Sequence, residues 1–249
     1  MTDSLYFEYG EKEINHLRKK DKKLGAVIDY IGIIKRPINP DVFSSLVESI
    51  ISQQISSKAA NTVCQKLHDL CKSGINNLPG STIDDIQLSG TSGQKAEDIQ
   101  GITDKLCGID VNKLSRLSVE KIQSCGMSMR KAEYVKGVAD AVLAKTIDLE
   151  AFAEMSDNDI INALTAIRGI GIWTAEMILI FSLMRPNVVS YGDLAIRKGM
   201  MRLYNLKELP KDRFQRYANR YSPYGSIASL YLWHISDPGV AISESGTYK

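Results

Sequence analysis

Residues 164–193 decide the fold, and they read LTAIRGIGIWTAEMILIFSLMRPNVVSYGD. Apolar residues recur at helical spacing up to the turn Arg168-Gly169-Ile170-Gly171, where two glycines allow positive φ and close backbone approach. The helical pattern resumes at Trp173 and ends before Pro186, because proline disfavours helix at the residue that precedes it. The stretch therefore predicts a helix, a glycine hairpin, a second helix of about twelve residues and a loop that ends at Asp193.

The hairpin offers backbone N–H donors to an anion. The first N–H groups of a helix lack intrahelical partners, and glycines leave such donors open to a DNA phosphate. Gly-Ile-Gly by itself fits an ordinary corner between two helices about as well. The longer run Leu-x-x-Ile-x-Gly-Ile-Gly-x-Trp-Thr-Ala, followed by Gly-Asp-Leu-Ala further along, is far more restrictive.

This run resembles the helix-hairpin-helix DNA glycosylases of base excision repair, and among them the alkylation-repair branch of the 3-methyladenine DNA glycosylase II type. The segment Phe43–Ala60, FSSLVESIISQQISSKAA, resembles the family's helix and wedge loop. The segment Tyr221–Trp233, YSPYGSIASLYLW, resembles its last core helix. The resemblance implies an all-α, two-lobed glycosylase fold. Its predicted parts are one lobe from 1–38 and 186–249, and a middle domain from 39–185 with the hairpin at 160–184.

The resemblance also implies an activity, namely hydrolysis of the N-glycosidic bond of a damaged base that has been flipped out of the duplex. Breaking this bond builds positive charge on the deoxyribose, so an anion is needed near the sugar, and by position this is Asp193. Bifunctional relatives carry a lysine nucleophile where this chain has Trp173, which predicts a monofunctional enzyme without lyase activity. The expected substrates are alkylated purines, first 3-methyladenine and then 7-methylguanine.

The role of Asp193 and the function of the protein each have alternative interpretations. Asp193 also fits the N-cap of the following helix, a role worth about 0.5–2 kcal/mol that is compatible with catalysis. A related glycosylase for oxidised, deaminated or mismatched bases would use the same scaffold. A non-catalytic helix-hairpin-helix protein would bind DNA with salt dependence and release no base.

The resemblance places three aromatic residues in the base pocket: Trp173, Trp233 and Tyr191. The two tryptophans are the only ones in the chain. An indole face attracts a cationic methylated purine by roughly 0.5–2 kcal/mol. Without the resemblance, each tryptophan fits a helix core equally well.

The predicted DNA contacts lie in and after the hairpin. Gly169, Gly171 and Thr174 are expected to offer exposed N–H and hydroxyl donors to phosphate. Arg168 and Arg197 are expected to add positive charge.

The predicted wedge lies in the polar interruption after the helix that Asp41 is expected to cap. By position Gln54 fills the gap left by the extruded nucleotide, with Ile55 beside it. Composition alone fits a capped turn between two helices as well.

The loop before Asp193 departs from the family pattern Asp-x-x-Pro-x-Gly-Asp. Asn187 and Ser190 replace the first Asp and the Pro, while Pro186 and Gly192 are present. A less rigid loop is therefore expected, and the substrate range is in doubt.

An internal repeat adds a further unit, because Ile86–Glu97 recurs as Ile122–Glu133, 36 residues later. A repeat of this size usually means one helix–turn–helix used twice. The first copy is predicted to be an inserted structural repeat at 78–113 rather than an additional DNA contact.

Composition excludes several classes of site. The chain has 249 residues, a net charge of +2 and four cysteines with no CxxC pair, which predicts free thiols and no metal site built from side chains. No cysteine follows Cys125, so the iron–sulfur cluster of some relatives is not expected. The N-terminal β domain of some family members is not expected in residues 1–36 either. Those residues are expected to hold one charged helix, Glu11 to Ile34.

The remaining expectations concern partners and location. No apolar run is long enough to span a bilayer, so an intracellular protein of the cytoplasm or nucleoid without membrane contact is expected. The expected partner is double-stranded DNA with damaged bases, bound by a monomer. No cofactor is expected, apart from the monovalent cation that the hairpin backbone of family members often binds.

Overall fold

The computed structural model describes residues 5–73 and 108–239 of the chain. Within these ranges the regular structure is helical, and the one β feature is an isolated antiparallel bridge between Tyr6 and Pro37. The all-α fold predicted from the sequence is confirmed.

Twelve helices carry the described part of the chain, and several begin at a residue that the sequence marks as a cap. Asp41 accepts a hydrogen bond from the Ser44 N–H, and Ser128 accepts one from the Lys131 N–H, each in the first turn of a helix. The helices are α1 (Glu11–Lys20), α2 (Lys22–Ile31), α3 (Val42–Ser52), α4 (Ser57–Ser73), α5 (Val111–Arg116), α6 (Val119–Gln123), α7 (Met129–Leu143), α8 (Asp157–Thr165), α9 (Ile172–Phe181), α10 (Leu194–Tyr204), α11 (Lys211–Tyr221) and α12 (Gly225–Ser236), with a 3-10 turn at Ala151–Ala153.

The N-terminal region forms two helices rather than the single predicted helix. Asp21 ends α1 with an extended backbone, φ −142°. Its carboxylate accepts hydrogen bonds from the N–H groups of Lys23 and Leu24, both at 3.0 Å, and so caps α2. The prediction was wrong because Asp21, the one acidic residue in the run RKKDKK at residues 18–23, acts as an N-cap.

The chain divides into two compact units. Among the described residues, one contains 41–73 and 108–151 together with Ala166–Gly169, and the other contains Leu5–Pro40, Phe152–Thr165 and 170–239. The first half of the hairpin turn, up to Gly169, therefore belongs to the first unit. Ile170, Gly171 and the helices on either side of the turn, α8 and α9, belong to the second.

Helices α8 and α9 account for the difference from the predicted boundaries, which placed both in the middle domain, 39–185. The two helices pack against each other. The Asn39 N–H donates to the Phe181 carbonyl at the end of α9 at 2.9 Å. The Arg185 guanidinium donates to the carbonyl of Phe152 before α8 at 2.6 Å. These bonds lie within the second unit and connect its helical segments 152–165 and 172–185 to each other and to Asn39.

The second copy of the repeat, Ile122–Glu133, is a helix–turn–helix as predicted. It runs from α6 through Gly126, at φ +107°, into α7. The first copy, Ile86–Glu97, and most of the predicted insertion 78–113 lie outside the described residues.

Three cysteines within the described ranges are buried free thiols, as the sequence predicted: Cys64, Cys71 and Cys125. Burial raises the pKa of the Cys64 thiol to about 12 and that of the Cys71 thiol to about 11, which keeps both protonated at neutral pH. Cys107 lies outside the described residues.

Glu48 on α3 makes stability depend on pH. Burial, together with the negative charge of Asp41, raises the pKa of this carboxyl to about 8. A raised folded-state pKa gives stability that is complete below the ordinary value of 4.5 and is lost as the pH rises through about 8. We expect Glu48→Gln to change the free energy of unfolding little near pH 5 and to raise it by a few kcal/mol near pH 9.

Urea denaturation at both pH values measures this effect. Glu133→Gln, an exposed glutamate on α7, is the matched control and is expected to follow the wild type at both. Equal changes for Glu48→Gln at pH 5 and pH 9 would contradict the prediction.

Candidate active site

The hairpin between α8 and α9 uses its two glycines differently. Gly169 has φ +95°, and a Cβ there would lie 2.4 Å from the Tyr134 ring, so only glycine fits. Gly171 has φ −97°, within the range of any residue, and a Cβ there would meet nothing within 4 Å. The expectation of positive φ holds for Gly169 alone.

The start of α9 presents the backbone donors that the sequence predicted. Gly171 is its N-cap and provides no side-chain acceptor for the first N–H groups, which by helix geometry have no intrahelical partners. Ile172 in this turn is 62% exposed, whereas Thr174 is only 4% exposed. The expectation of an accessible Thr174 hydroxyl was therefore wrong, because that side chain faces the packed side of α9, and its N–H is the remaining candidate donor. Arg168, which was predicted to add positive charge, is exposed.

The loop before Asp193 is anchored where it departs from the family pattern. Asn187 accepts from the Gly225 N–H at 3.2 Å and donates to the Ser222 hydroxyl at 3.2 Å. Ser190 is fully buried and donates a short hydrogen bond to the Glu176 carboxylate on α9. The expected loss of rigidity is offset, since the replacing residues tie the loop to α9 and to the start of α12.

Asp193 lies between α10 and the indole of α9. Its Oδ1 accepts from the Ile196 N–H at 2.8 Å, and its Oδ2 accepts from the Trp173 Nε1–H at 2.9 Å. The side chain is 7% exposed. The residue is therefore the N-cap of α10, and its second oxygen is held by a side chain twenty residues earlier in the sequence.

Glu176 is a second carboxyl group at this site, which sequence reasoning missed. Burial raises its pKa, the Ser190 hydrogen bond lowers it, and the negative charge of Asp193 raises it again. The signal was present in the sequence, because Glu176 is the one charged residue in the apolar helix IWTAEMILIF.

The aromatic residues of the predicted base pocket are not all together. Trp173 is 46% exposed and contacts Asp193 through its N–H. Trp233 packs against Phe181, with ring centroids 5.3 Å apart. Trp173 is the second residue of α9, whereas Trp233 packs on Phe181, its last residue. The two tryptophans are therefore at opposite ends of this helix, which are about 12 Å apart along its axis.

Tyr191 and Arg197 form a cluster close to Asp193 in the chain. The guanidinium carbon of Arg197 lies 5.2 Å from the Tyr191 ring centroid, and Tyr191 packs edge-on against Phe214 at 5.1 Å. The Arg197 Nε is buried without a hydrogen-bond partner within the described ranges. Tyr191, which was predicted to line the base pocket, is therefore in contact with Arg197, which was predicted to bind DNA.

The predicted wedge residues lie in the turn between α3 and α4. Gln54 has φ +59°, and both Gln54 and Ile55 are exposed. The neighbouring Gln53 was not singled out from the sequence. Its side-chain amide donates to the Gly169 carbonyl at 3.0 Å, so it connects the wedge turn to the hairpin turn.

Two kinds of feature are absent from residues 5–73 and 108–239. These residues contain no group of three or more His, Cys, Asp or Glu side chains placed to hold a metal ion. None of the helices in the same ranges combines the length and the apolar character needed to cross a membrane.

Known proteins of base excision repair are similar to this chain in sequence. The family model described as "HhH-GPD superfamily base excision DNA repair protein" matches residues 47–223. The chain is similar to DNA-3-methyladenine glycosylase 1 of Schizosaccharomyces pombe, with 30% identity over 200 residues that cover 78% of this chain and 72% of that protein.

Solved structures agree with this result. A DNA-3-methyladenine glycosidase from Bacillus halodurans has a TM-score of 0.73 and 29% identity, over 94% of this chain and 93% of that one. The Schizosaccharomyces pombe 3-methyladenine DNA glycosylase in complex with abasic DNA has a TM-score of 0.63 and 28% identity, over 90% of this chain and 95% of that one.

Proposed function

Because this chain belongs to the HhH-GPD superfamily of base excision DNA repair proteins, we propose that it is a monofunctional DNA glycosylase acting on alkylated purines. The observation that carries the proposal is the buried Asp193 carboxylate, held by the Ile196 N–H and the Trp173 indole. A fixed anion suits a reaction that builds positive charge on a sugar. The expected leaving groups are 3-methyladenine, the base in the names of the relatives, and 7-methylguanine.

The chemistry divides between Asp193 and Trp173. A methylated purine carries a positive charge and leaves as a neutral base, taking the electron pair of the N-glycosidic bond. Asp193 stabilises the sugar cation and accepts a proton from the water that attacks the sugar carbon. The half-exposed Trp173 ring offers a face to the cationic base, while its N–H orients Asp193.

Position 173 also supports hydrolysis without strand cleavage. A lyase needs an amine that attacks the sugar and forms a Schiff base. Here the side chain is an indole whose N–H is directed at the carboxylate, and an indole cannot form that intermediate.

The hairpin supports DNA binding. Gly171 has an ordinary φ and open space at its Cβ position, so nothing within the described protein requires glycine there. Its absence of a side chain leaves the N–H groups at the start of α9 open to an approaching phosphate. We extend the proposal to duplex DNA bound by a monomer inside the cell, with a monovalent cation on the hairpin backbone.

Base release under single-turnover conditions tests the proposal. The panel consists of methylated duplex DNA and duplexes that contain 8-oxoguanine, uracil or a mismatched base. We expect release of 3-methyladenine and 7-methylguanine alone, abasic strands that break only after alkali, and no adduct trapped by borohydride.

The other outcomes point to the alternatives. Release of an uncharged base as fast as a methylated one would favour a glycosylase for other lesions. DNA binding that weakens with salt, without release of any base, would favour a binding protein. A trapped adduct would contradict monofunctional hydrolysis.

A further inference from the structure

The wedge loop, residues 53–56, contains little backbone structure of its own. α3 ends at Ser52, α4 begins at Ser57, and Gln54 between them has φ +59°. The Ile55 N–H makes a long bond of 3.4 Å to the Ser52 carbonyl. The loop conformation therefore depends on groups from other elements.

Lys131 on α7 supplies one support. Its ammonium donates to the carbonyl of Ile51 at 2.7 Å and to that of Gln53 at 2.5 Å, at the C-terminal end of α3. A cation suits this position, because unpaired carbonyls give a helix C-terminus partial negative charge. Burial lowers the pKa of this lysine, as expected for an ammonium withdrawn from water to bind backbone.

Gln53 supplies the other support, and it leads to the hairpin turn. Its amide nitrogen donates to the Gly169 carbonyl at 3.0 Å. Gly169 itself is packed so closely on the Tyr134 ring that a Cβ would clash. The Tyr134 hydroxyl accepts from the Arg130 Nε at 2.7 Å. One helical turn of α7 contains Arg130, Lys131 and Tyr134. This part of α7 therefore contacts both the wedge loop, through Lys131, and Gly169 of the hairpin, through Tyr134.

We propose that Lys131 and Gln53 are positioning residues that hold the wedge loop in fixed register with Gly169 of the hairpin turn. This inference rests on the proposed function, since it assumes that the loop enters DNA while the hairpin grips the backbone. Because the Gln53 side chain is bonded to Gly169, the side chain that enters the DNA is Gln54 or Ile55. The pair does not act on the sugar; it lowers the cost of keeping the nucleotide extruded.

The consequence is a substrate-dependent defect. Extrusion of a base costs a few kcal/mol in a paired duplex and less at a mismatch. Loss of wedge positioning should therefore slow excision most where the lesion is well paired. A general loss of folding or of catalytic competence would slow both substrates equally.

The test compares Lys131→Met and Gln53→Met with wild type, on duplexes with 7-methylguanine opposite cytosine or opposite thymine. We expect each variant to lower the single-turnover rate by about 10- to 100-fold on the paired lesion and by less than about threefold on the mismatched lesion. Equal losses on the two duplexes, or no loss on either, would overturn the proposal. Thermal melting confirms that both variants are folded.

Lys136→Met is the matched control. Lys136 is also on α7, and its ammonium also donates to a backbone carbonyl, that of Ser115 at 2.5 Å. It contacts neither the wedge loop nor the hairpin turn in the hydrogen bonds of the described chain. We expect its ratio of paired to mismatched rates to equal that of the wild type.

A second readout separates this inference from the proposed function. 2-Aminopurine placed beside an abasic-site analogue brightens when its neighbours unstack, and it requires no base release. We expect wild type and Lys136→Met to raise the fluorescence and Lys131→Met to fail to do so. If wild type releases no base but raises the signal in a Lys131-dependent way, the proposed substrate fails and the positioning role stands. An equal rise with Lys131→Met refutes the positioning role.

Discussion

Asp193→Asn is expected to lower the single-turnover rate of methylated-base release by about a hundredfold to ten-thousandfold, because it removes the anion that stabilises the sugar cation. DNA affinity at fixed salt should change little. The variant is not neutral for stability. Aspartate offers two acceptor oxygens, one to Ile196 and one to Trp173, while asparagine offers one. One donor loses its partner, at a cost of about 1 kcal/mol.

Trp173→Phe is the matched control for that lost hydrogen bond. It removes the indole N–H and leaves both the carboxylate and an aromatic face. We expect at most about a tenfold loss of rate, which corresponds to about one hydrogen bond. If Asp193→Asn loses no more activity than Trp173→Phe, the charge of Asp193 is not catalytic and its role is to cap α10.

Gly199→Ala is expected to give the largest loss of stability. Gly199 is buried where α10 crosses α12, and a Cβ there would lie 2.0 Å from the Leu232 carbonyl oxygen. That atom belongs to a helix backbone, so no side-chain rotation can relieve the contact. We expect a loss of about 3 kcal/mol or more, despite the gain of up to about 1 kcal/mol that alanine usually brings to a helix. The melting temperature should fall by about 10 °C.

Gly137→Ala on α7 is the matched control, because a Cβ at this position meets nothing within 4 Å. It is expected to leave the melting temperature unchanged or to raise it slightly. A Gly199→Ala protein that melts within about 2 °C of wild type would contradict the predicted clash between the two helices.

The close approach of α10 and α12 also bears on the site. Asp193 begins α10, and the loop that leads to it is bonded to two serines of α12. The Val188 N–H donates to the Ser226 hydroxyl at 2.9 Å, and the Ser229 hydroxyl donates to the Val188 carbonyl at 3.2 Å. Separating the helices at Gly199 should therefore displace Asp193 as well.

Much of the architecture could be predicted because its causes are local. Helical spacing and the capping residue Asp41 fixed α3, and the glycine hairpin with its flanking apolar runs fixed α8 and α9. The same local logic could have revealed the break at Asp21, since an acidic residue at that position is a capping signal. Hydrogen bonds between residues three or four positions apart are visible in the sequence itself.

The sequence by itself thus determined the all-α class, the two hairpin helices, the cap Asp41, the family and the candidate anion Asp193. Only the tertiary structure decided that Trp173 holds the second oxygen of Asp193, that Ser190 binds Glu176, and that Gln53 reaches Gly169. These partners are 20, 14 and 116 residues apart. No local periodicity encodes such pairs, because they depend on how complete helices pack, and that packing is set by the summed burial of many side chains.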